Sequence, residues 1–364
     1  MAKFLRLPIP AVEIVLGSVF AYFGFIGDNQ YFDLIAEMGF LYLMFLAGME
    51  VDLKQITKSP RHILRSSMLF LLLMAFFSFA SGLIFGLNTI VIISMPLISI
   101  GLLASLSKTY GKEQPWIRLA FIAGILGEVI SIAVLTIFDA ASSTGMTFAL
   151  VEKIAYLLAF MVAVYILYRL LHLLFWWFPE FKRTLVPQFD TSDQDIRLAM
   201  ALFFILISMM LALDLELALG SFIAGVAISA FFHHEKALET KMSSLGFGFL
   251  VPLFFIHVGA SFDVKALTMG GVVSGALLIT FLMILSRILA AVALKKIYGS
   301  KEALLVGLSL SMPLTLLIAV ATIGYDTKLL DLLSYYQLIL ASIFEILIVM
   351  STIKILQKGR NKER

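Results

Sequence analysis

Three charged side chains stand in the middle of apolar runs. Glu128 lies in "AGILGEVISIAVL", Arg287 in "LMILSRILAAV" and Glu345 in "ASIFEILIVM". A charge in such a setting is costly, so it faces a partner or a cavity. Glu128 is flanked by Gly124, Gly127 and Ser131, small residues that let another backbone or an ion come close. Its carboxylate can hold a proton or a hard monovalent cation (Na+ or K+), because both prefer oxygen. Arginine keeps its proton in proteins, so Arg287 can neutralise an empty carboxylate without carrying a proton itself. Structural readings stand beside these. Glu128 can be tied to Arg287 or to a backbone group, and the two charges can form a plain ion pair. Glu345 is either a structural partner or a second titrating group. His257, in "PLFFIHVGAS", is a secondary candidate of the same kind and otherwise a packing residue.

Other chemistries find no foothold. There is no phosphate-cradling glycine motif, no zinc-ligand spacing and no nucleophile elbow. The chain has no cysteine, which excludes disulfides and thiol chemistry. The pair His233 and His234 reads as solvated at a helix end. A net charge of +3 is too small to suggest nucleic acid. No cofactor is expected, and no enzymatic activity.

The elements that must carry these residues are membrane helices. The chain is 61% hydrophobic and 14% charged, with a mean hydropathy of +1.02. Soluble domains are about 45–50% apolar and about 25% charged. Apolar segments of bilayer-spanning length recur at roughly 8–27, 31–50, 63–87, 89–109, 117–138, 149–177, 196–213, 217–232, 245–262, 270–294, 302–324 and 332–355. The first reads as a membrane helix rather than a signal peptide. Lys and Arg concentrate in alternate loops, as the positive-inside rule requires. That pattern places both termini in the cytoplasm. The polar stretch "PEFKRTLVPQFDTSDQD" divides the chain into two halves of six segments.

The tetrapeptide SMPL occurs twice, at Ser94–Leu97 in the fourth segment and Ser311–Leu314 in the eleventh. A proline inside a membrane helix removes a backbone donor and frees a carbonyl. Such a break is tolerated only against protein or a water-filled cavity. The two segments run in opposite directions. If segments 1–5 and 8–12 are two five-helix units, they are inverted repeats with a break in the fourth helix of each. Inverted repeats with interrupted helices are the pattern of secondary transporters. Pro96, Pro313, Gly101 and Gly127 are assigned to the breaks and their crossing.

"LPIPAVEIVLGSVFAYFG", "IAEMGFLYLMFLAGMEVDLK", "LGSFIAGVAIS" and "GFLVPLFFIHVGASFD" together resemble the monovalent cation:proton antiporter superfamily, in its Kef-type and NapA-type branch. The resemblance runs over nearly the whole chain. It implies an NhaA-like fold of crossed, broken helices 4 and 11, working as a homodimer. A core from about 63–140 and 270–325, plus parts of neighbouring helices, would move like an elevator against a dimerisation domain from about 8–50 and 196–262. It places Glu128 on the acidic position of helix 5, Arg287 on the basic position of helix 10, and Ser99 and Gly101 on the helix 4 crossing. Thr315 and Ser99, just past the two prolines, are then the remaining hydroxyls that can face an ion. The sequence also departs from the family. Gly127-Glu128 replaces the usual acidic pair, Pro313-Leu314-Thr315 covers the helix 11 stretch that carries Arg and Glu, and Ile98 takes the place of a threonine. The family's extra first helix and the Kef-type soluble nucleotide-binding domain have no counterpart in this sequence.

The expected activity is exchange of Na+ or K+ for H+ across a lipid bilayer. A single acid at the site favours one proton per cation, hence no net charge moved. Two other readings remain open here. One is a non-transporting relative kept as a scaffold or sensor, and the other is a symporter of an organic solute on the same fold.

Overall fold

In a computed structural model, the residues described are 9–27, 29–51, 59–111, 113–144, 148–177, 193–215, 217–231, 236–262 and 264–360. His233 and His234 lie outside them. Among the described residues there is helix and no strand. The helices are α1 (Ile9–Tyr22), α2 (Gln30–Met49), α3 (Arg61–Ile84), α4 (Thr89–Ser94), α5 (Gly101–Tyr110), α6 (Pro115–Thr144), α7 (Phe148–Trp177), α8 (Gln194–Ala212), α9 (Leu217–Phe231), α10 (Lys236–Leu245), α11 (Val251–Ala260), α12 (Val272–Ala290), α13 (Ser300–Ser309), α14 (Leu314–Asp326) and α15 (Leu332–Arg360). Helix covers some part of each apolar segment read from the sequence. By length and apolarity, seven helical stretches among the described residues can cross a membrane, or eight if the bent pair α13 and α14 is one span.

The local reasons are visible along the chain. α3 buries Ile63, Ser67, Phe70, Leu71, Met74, Ser78 and Gly82 on one face. Its other face exposes Leu69, Leu72, Phe76, Phe79 and Leu83. A helix whose outward face is more apolar than its inward face belongs in lipid, where small and polar residues make the helix contacts. At about 1.5 Å per residue its 24 residues suffice for the roughly 30 Å hydrocarbon core. α4 opens where the Asn88 side chain accepts a hydrogen bond from Ile90 N (2.8 Å), an N-cap that satisfies an orphan donor. It closes after Ser94, because Pro96 cannot donate to the next turn. Pro313 likewise sits at the N-cap of α14, and α13 and α14 meet at 41°.

One difference from the sequence reading concerns the ninth segment. The helix begins earlier, at Lys236, and runs through α10, a wide π-helical turn at Gly246–Leu250, and α11. At Gly246 the turn packs closely, since a Cβ there would stand 2.5 Å from Leu46 Cδ1.

The chain forms two compact units. The first comprises residues 1–37, 53–135 and 252–364. In it α12 packs on α3 and α15, and α14 packs on α4 and α15. α1 crosses α11 with almost no clearance: a Cβ on Gly17 would stand 2.0 Å from Ile256 O, and one on Gly259 1.9 Å from Ile14 O. The second unit comprises residues 38–52 and 136–251. Its α2 and α9 meet in the same manner, Gly48 against the Phe222 carbonyl and Gly225 against that of Phe45.

Candidate functional site

The two SMPL stretches fold as interruptions. Residues 95–100 separate α4 from α5, and residues 310–313 separate α13 from α14. The first interruption lies along α6. Ile98 N donates to Ser131 Oγ at 2.8 Å, and Ile100 N donates to Glu128 Oε2 at 3.3 Å. The spacing fits both partners: alternate residues of a non-helical stretch meet residues three apart on one face of a helix. Two backbone donors that the break would orphan are thereby satisfied. Gly124 and Gly127 provide the clearance. A Cβ on Gly127 would reach 2.6 Å from Ile98 Cδ1, and one on Gly124 2.7 Å from Ile100 Cγ2. Gly127 is therefore not itself at a break, since α6 runs unbroken through it.

Glu128 is fully buried. Its Oε1 accepts from Ser99 Oγ at 3.4 Å, and Ser99 Oγ lies 3.4 Å from Thr315 Oγ1, on the first turn of α14. Serine has one hydroxyl proton. If Ser99 gives it to the carboxylate, Thr315 donates to Ser99, and the three oxygens form a directed chain. Ser99 and Thr315 are almost completely buried. Beside them Gly101 starts α5, and a Cβ there would meet only Ser99 Oγ, at 3.8 Å, so the glycine keeps space open next to the hydroxyl. The carboxylate also stands at the N-terminal end of α5, the end that favours negative charge.

Arg287, in α12, is fully buried as well. Its Nη2 donates to Leu97 O at 2.7 Å, its Nε to Leu310 O at 3.2 Å and its Nη1 to Met283 O at 3.0 Å. Leu97 and Leu310 belong to the two interruptions, so one guanidinium bridges both. The positive charge sits where α4 and α13 end, the favourable polarity for helix C-termini. Gly307 lets α13 approach, since a Cβ there would lie 3.0 Å from Arg287 O. The ion pair of Arg287 is with Glu345, Nη1 to Oε1 at 3.5 Å. It makes no hydrogen bond or ion pair with Glu128.

The structure thus gathers Glu128, Ser99 and Thr315 into one group. Arg287, Glu345 and the chain around Pro96 and Pro313 form a second group, joined to the first through the interruptions. His257 belongs to neither. It pairs with Asp33 (2.9 Å), packs its ring on Phe32, and is partly exposed. The backbone tie of Glu128 was one of the sequence readings, and the amide is that of Ile100. Three participants were not foreseen: the Ser131 hydroxyl as an acceptor, and the carbonyls of Leu97 and Leu310. A signal for the last existed. Two proline breaks announce unsatisfied carbonyls, and a buried arginine carries five donors in search of acceptors.

Interrupted helices that meet over a buried carboxylate, in a chain built of bilayer-length apolar helices, are the architecture seen in secondary transporters. The sequence model of the family described as "Sodium/hydrogen exchanger, transmembrane" matches residues 1–359, and the chain belongs to that family. Over 356 residues it is 26% identical to the putative Na(+)/H(+) antiporter YjbQ of Bacillus subtilis (strain 168), a match that covers 90% of this chain and 55% of that protein. The chain thus spans about half the length of that relative. It is 24% identical over 361 residues to the Na(+)/H(+) antiporter of Enterococcus hirae, covering 94% and 90% of the two chains. In fold it is similar to the sodium proton antiporter MjNhaP1 from Methanocaldococcus jannaschii, with a TM-score of 0.62, 12% identity, and coverage of 98% and 92%. These relatives are transporters rather than enzymes.

Proposed function

We propose that this chain exchanges a monovalent cation, Na+ or K+, for H+ across a lipid bilayer, with Glu128 as the shared binding group. One observation carries the reading: a fully buried carboxylate at a helix interruption, flanked by the hydroxyls of Ser99 and Thr315. A carboxyl group that holds a proton is neutral and no longer attracts a cation, and a carboxylate that holds a cation excludes the proton. Competition for one group is the simplest coupling device. The oxygen spacing supports it. Neighbouring ligands around a hard cation with oxygen distances near about 2.4 Å are about 3.4 Å apart in octahedral geometry, and 3.4 Å is the spacing from Ser99 Oγ to each of its two oxygen neighbours. Membership of the exchanger family, and the antiporter names of the relatives, point the same way.

The finer reading is as follows. Exchange is one for one and electroneutral, because one acid titrates at the site. Alternating access is of the elevator kind. A core drawn from about residues 63–140 and 270–325, with parts of neighbouring helices, moves against a dimer scaffold from about 8–50 and 196–262. Twelve crossings in inverted five-helix repeats place both termini in the cytoplasm, and the protein resides in the bacterial inner membrane as a homodimer. Arg287 holds the two interruptions together through Leu97 and Leu310.

The test is cation-driven proton movement, read with a pH-sensitive dye in vesicles holding the purified chain. Additions of Na+ and of K+ should each be tried. The intact protein should move protons in response to at least one, and Glu128→Gln should lower the rate at least tenfold. Undiminished exchange by Glu128→Gln would sink the proposal.

A further inference from the structure

Glu345 does something the binding group does not explain. It lies on α15 and, like Arg287, is wholly buried. Among the described residues, neither of its carboxylate oxygens accepts a hydrogen bond. Its polar contact among the described residues is the 3.5 Å ion pair with Arg287. Arg287 in turn spends its hydrogen bonds on three neutral carbonyls. Glu345 therefore contributes charge to the site and no directional bond. Burying an ion pair is expensive, and an apolar residue of similar volume would often pack as well or better. A carboxylate kept there without hydrogen bonds is suited to an electrostatic task.

We propose that Glu345 is a positioning residue for charge. It cancels Arg287, leaving Glu128 to set the net charge of the site, and so enforces one-for-one, electroneutral exchange. This rests on the exchange reading above. Arg287 and Glu345 sum to zero. Glu128 with a bound proton, or with a bound Na+ or K+, also sums to zero, so both loaded forms are neutral. With neither ion bound the site carries −1. An uncompensated buried charge is costly to move through an apolar barrier, so the empty site does not cross and the cycle stays coupled. Replacing Glu345 by glutamine shifts every state by one. The loaded forms become +1 and the empty form neutral. The empty form can then return unloaded, and the cation is carried alone down the membrane potential. A unit charge crossing 100 mV is biased by up to about 50-fold.

The experiment uses the full chain in proteoliposomes, with radioactive sodium uptake and a pH dye read together. The potential is set by a gradient of thiocyanate, a permeant anion, so that no competing cation is introduced. The wild type should exchange Na+ for H+ at a rate that does not change with potential. Glu345→Gln should accumulate Na+ in response to an inside-negative potential, at least tenfold above its zero-potential level and without matching proton release. Glu345→Asp, which keeps the charge, should restore coupling. Potential-insensitive exchange by Glu345→Gln would overturn the proposal, and so would a wild-type exchange that carries current. Should Glu345→Gln fail to fold, a folded but uncoupled Glu345→Asp would also overturn it. A parallel Glu128→Gln sample separates the two readings. Exchange that needs Glu128 but is indifferent to Glu345→Gln defeats only the role of Glu345, whereas absence of exchange in the wild type defeats the function itself.

Discussion

Arg287 and Ser131 show how single side chains hold the interruptions in place. The guanidinium makes three hydrogen bonds to carbonyls from two interruptions and its own helix. Lysine offers one point charge and cannot reproduce a rigid fork. Arg287→Lys should therefore destabilise the protein by about 2–4 kcal/mol, visible as a lower unfolding temperature in detergent. Ser131 accepts the Ile98 amide. Removing that acceptor leaves a buried donor unsatisfied, at a cost of about 1–3 kcal/mol. Ser131→Ala should show that loss, while Ser131→Thr, which keeps an oxygen there, should show less of it. At this scale much was readable in the sequence. Charges in apolar runs announce themselves because each needs a partner. Their pairing was not readable, because Glu345 and Glu128 are equally plausible partners of Arg287 until α12 and α15 are seen side by side.

Between elements, the close fit of α6 against the first interruption decides where the site forms. Gly127 faces Ile98 Cδ1 and Leu71 Cδ2, at 2.6 and 3.1 Å from the position of an added Cβ. Gly127→Ala should push the interruption away from α6 and cost about 1–3 kcal/mol, as overpacking does. Ile98→Val removes the nearest obstructing methyl and leaves Leu71 Cδ2 and Ile98 Cβ at 3.1 and 3.2 Å, so the double variant should recover part of the lost unfolding temperature and exchange rate. The periodic apolar segments and the two proline breaks were legible, because hydrophobicity and a missing N–H are properties of local sequence. The helical start at Lys236 and the π-turn at Gly246–Leu250 were not. Short polar stretches at a membrane boundary carry little periodic signal, and a widened turn is selected by what it packs against.

For the molecule as a whole, the distribution of Lys and Arg predicts orientation. Tags fused to the two ends should be cleaved by an added protease in inside-out vesicles and protected in right-side-out ones. Opposite protection of the two ends would require an odd number of crossings. The chain contains no cysteine, so single cysteines placed in the loops can report sidedness without background. Within each unit, glycine contacts bring helix backbones together. Ala at Gly48 or Gly225 would press against a carbonyl oxygen, and helix packing in lipid depends on such close approach.

By itself the sequence determined the solvent of this protein, the approximate places of its helices, and the few charged residues worth watching. Those follow from transfer energies that each segment carries alone: twenty apolar residues prefer lipid, and a charge among them is an expense that demands a reason. Only the tertiary structure decided that Glu128 is held by Ser99 and a backbone amide, with Thr315 on the far side of Ser99. Only the tertiary structure showed that Arg287 spans two interruptions and that its counter-charge is Glu345. Residues 97, 287, 310 and 345 are far apart in sequence, and nothing local records their distances. Their partnership exists because every buried polar group must find a complement, and which complement is found depends on how the helices stack.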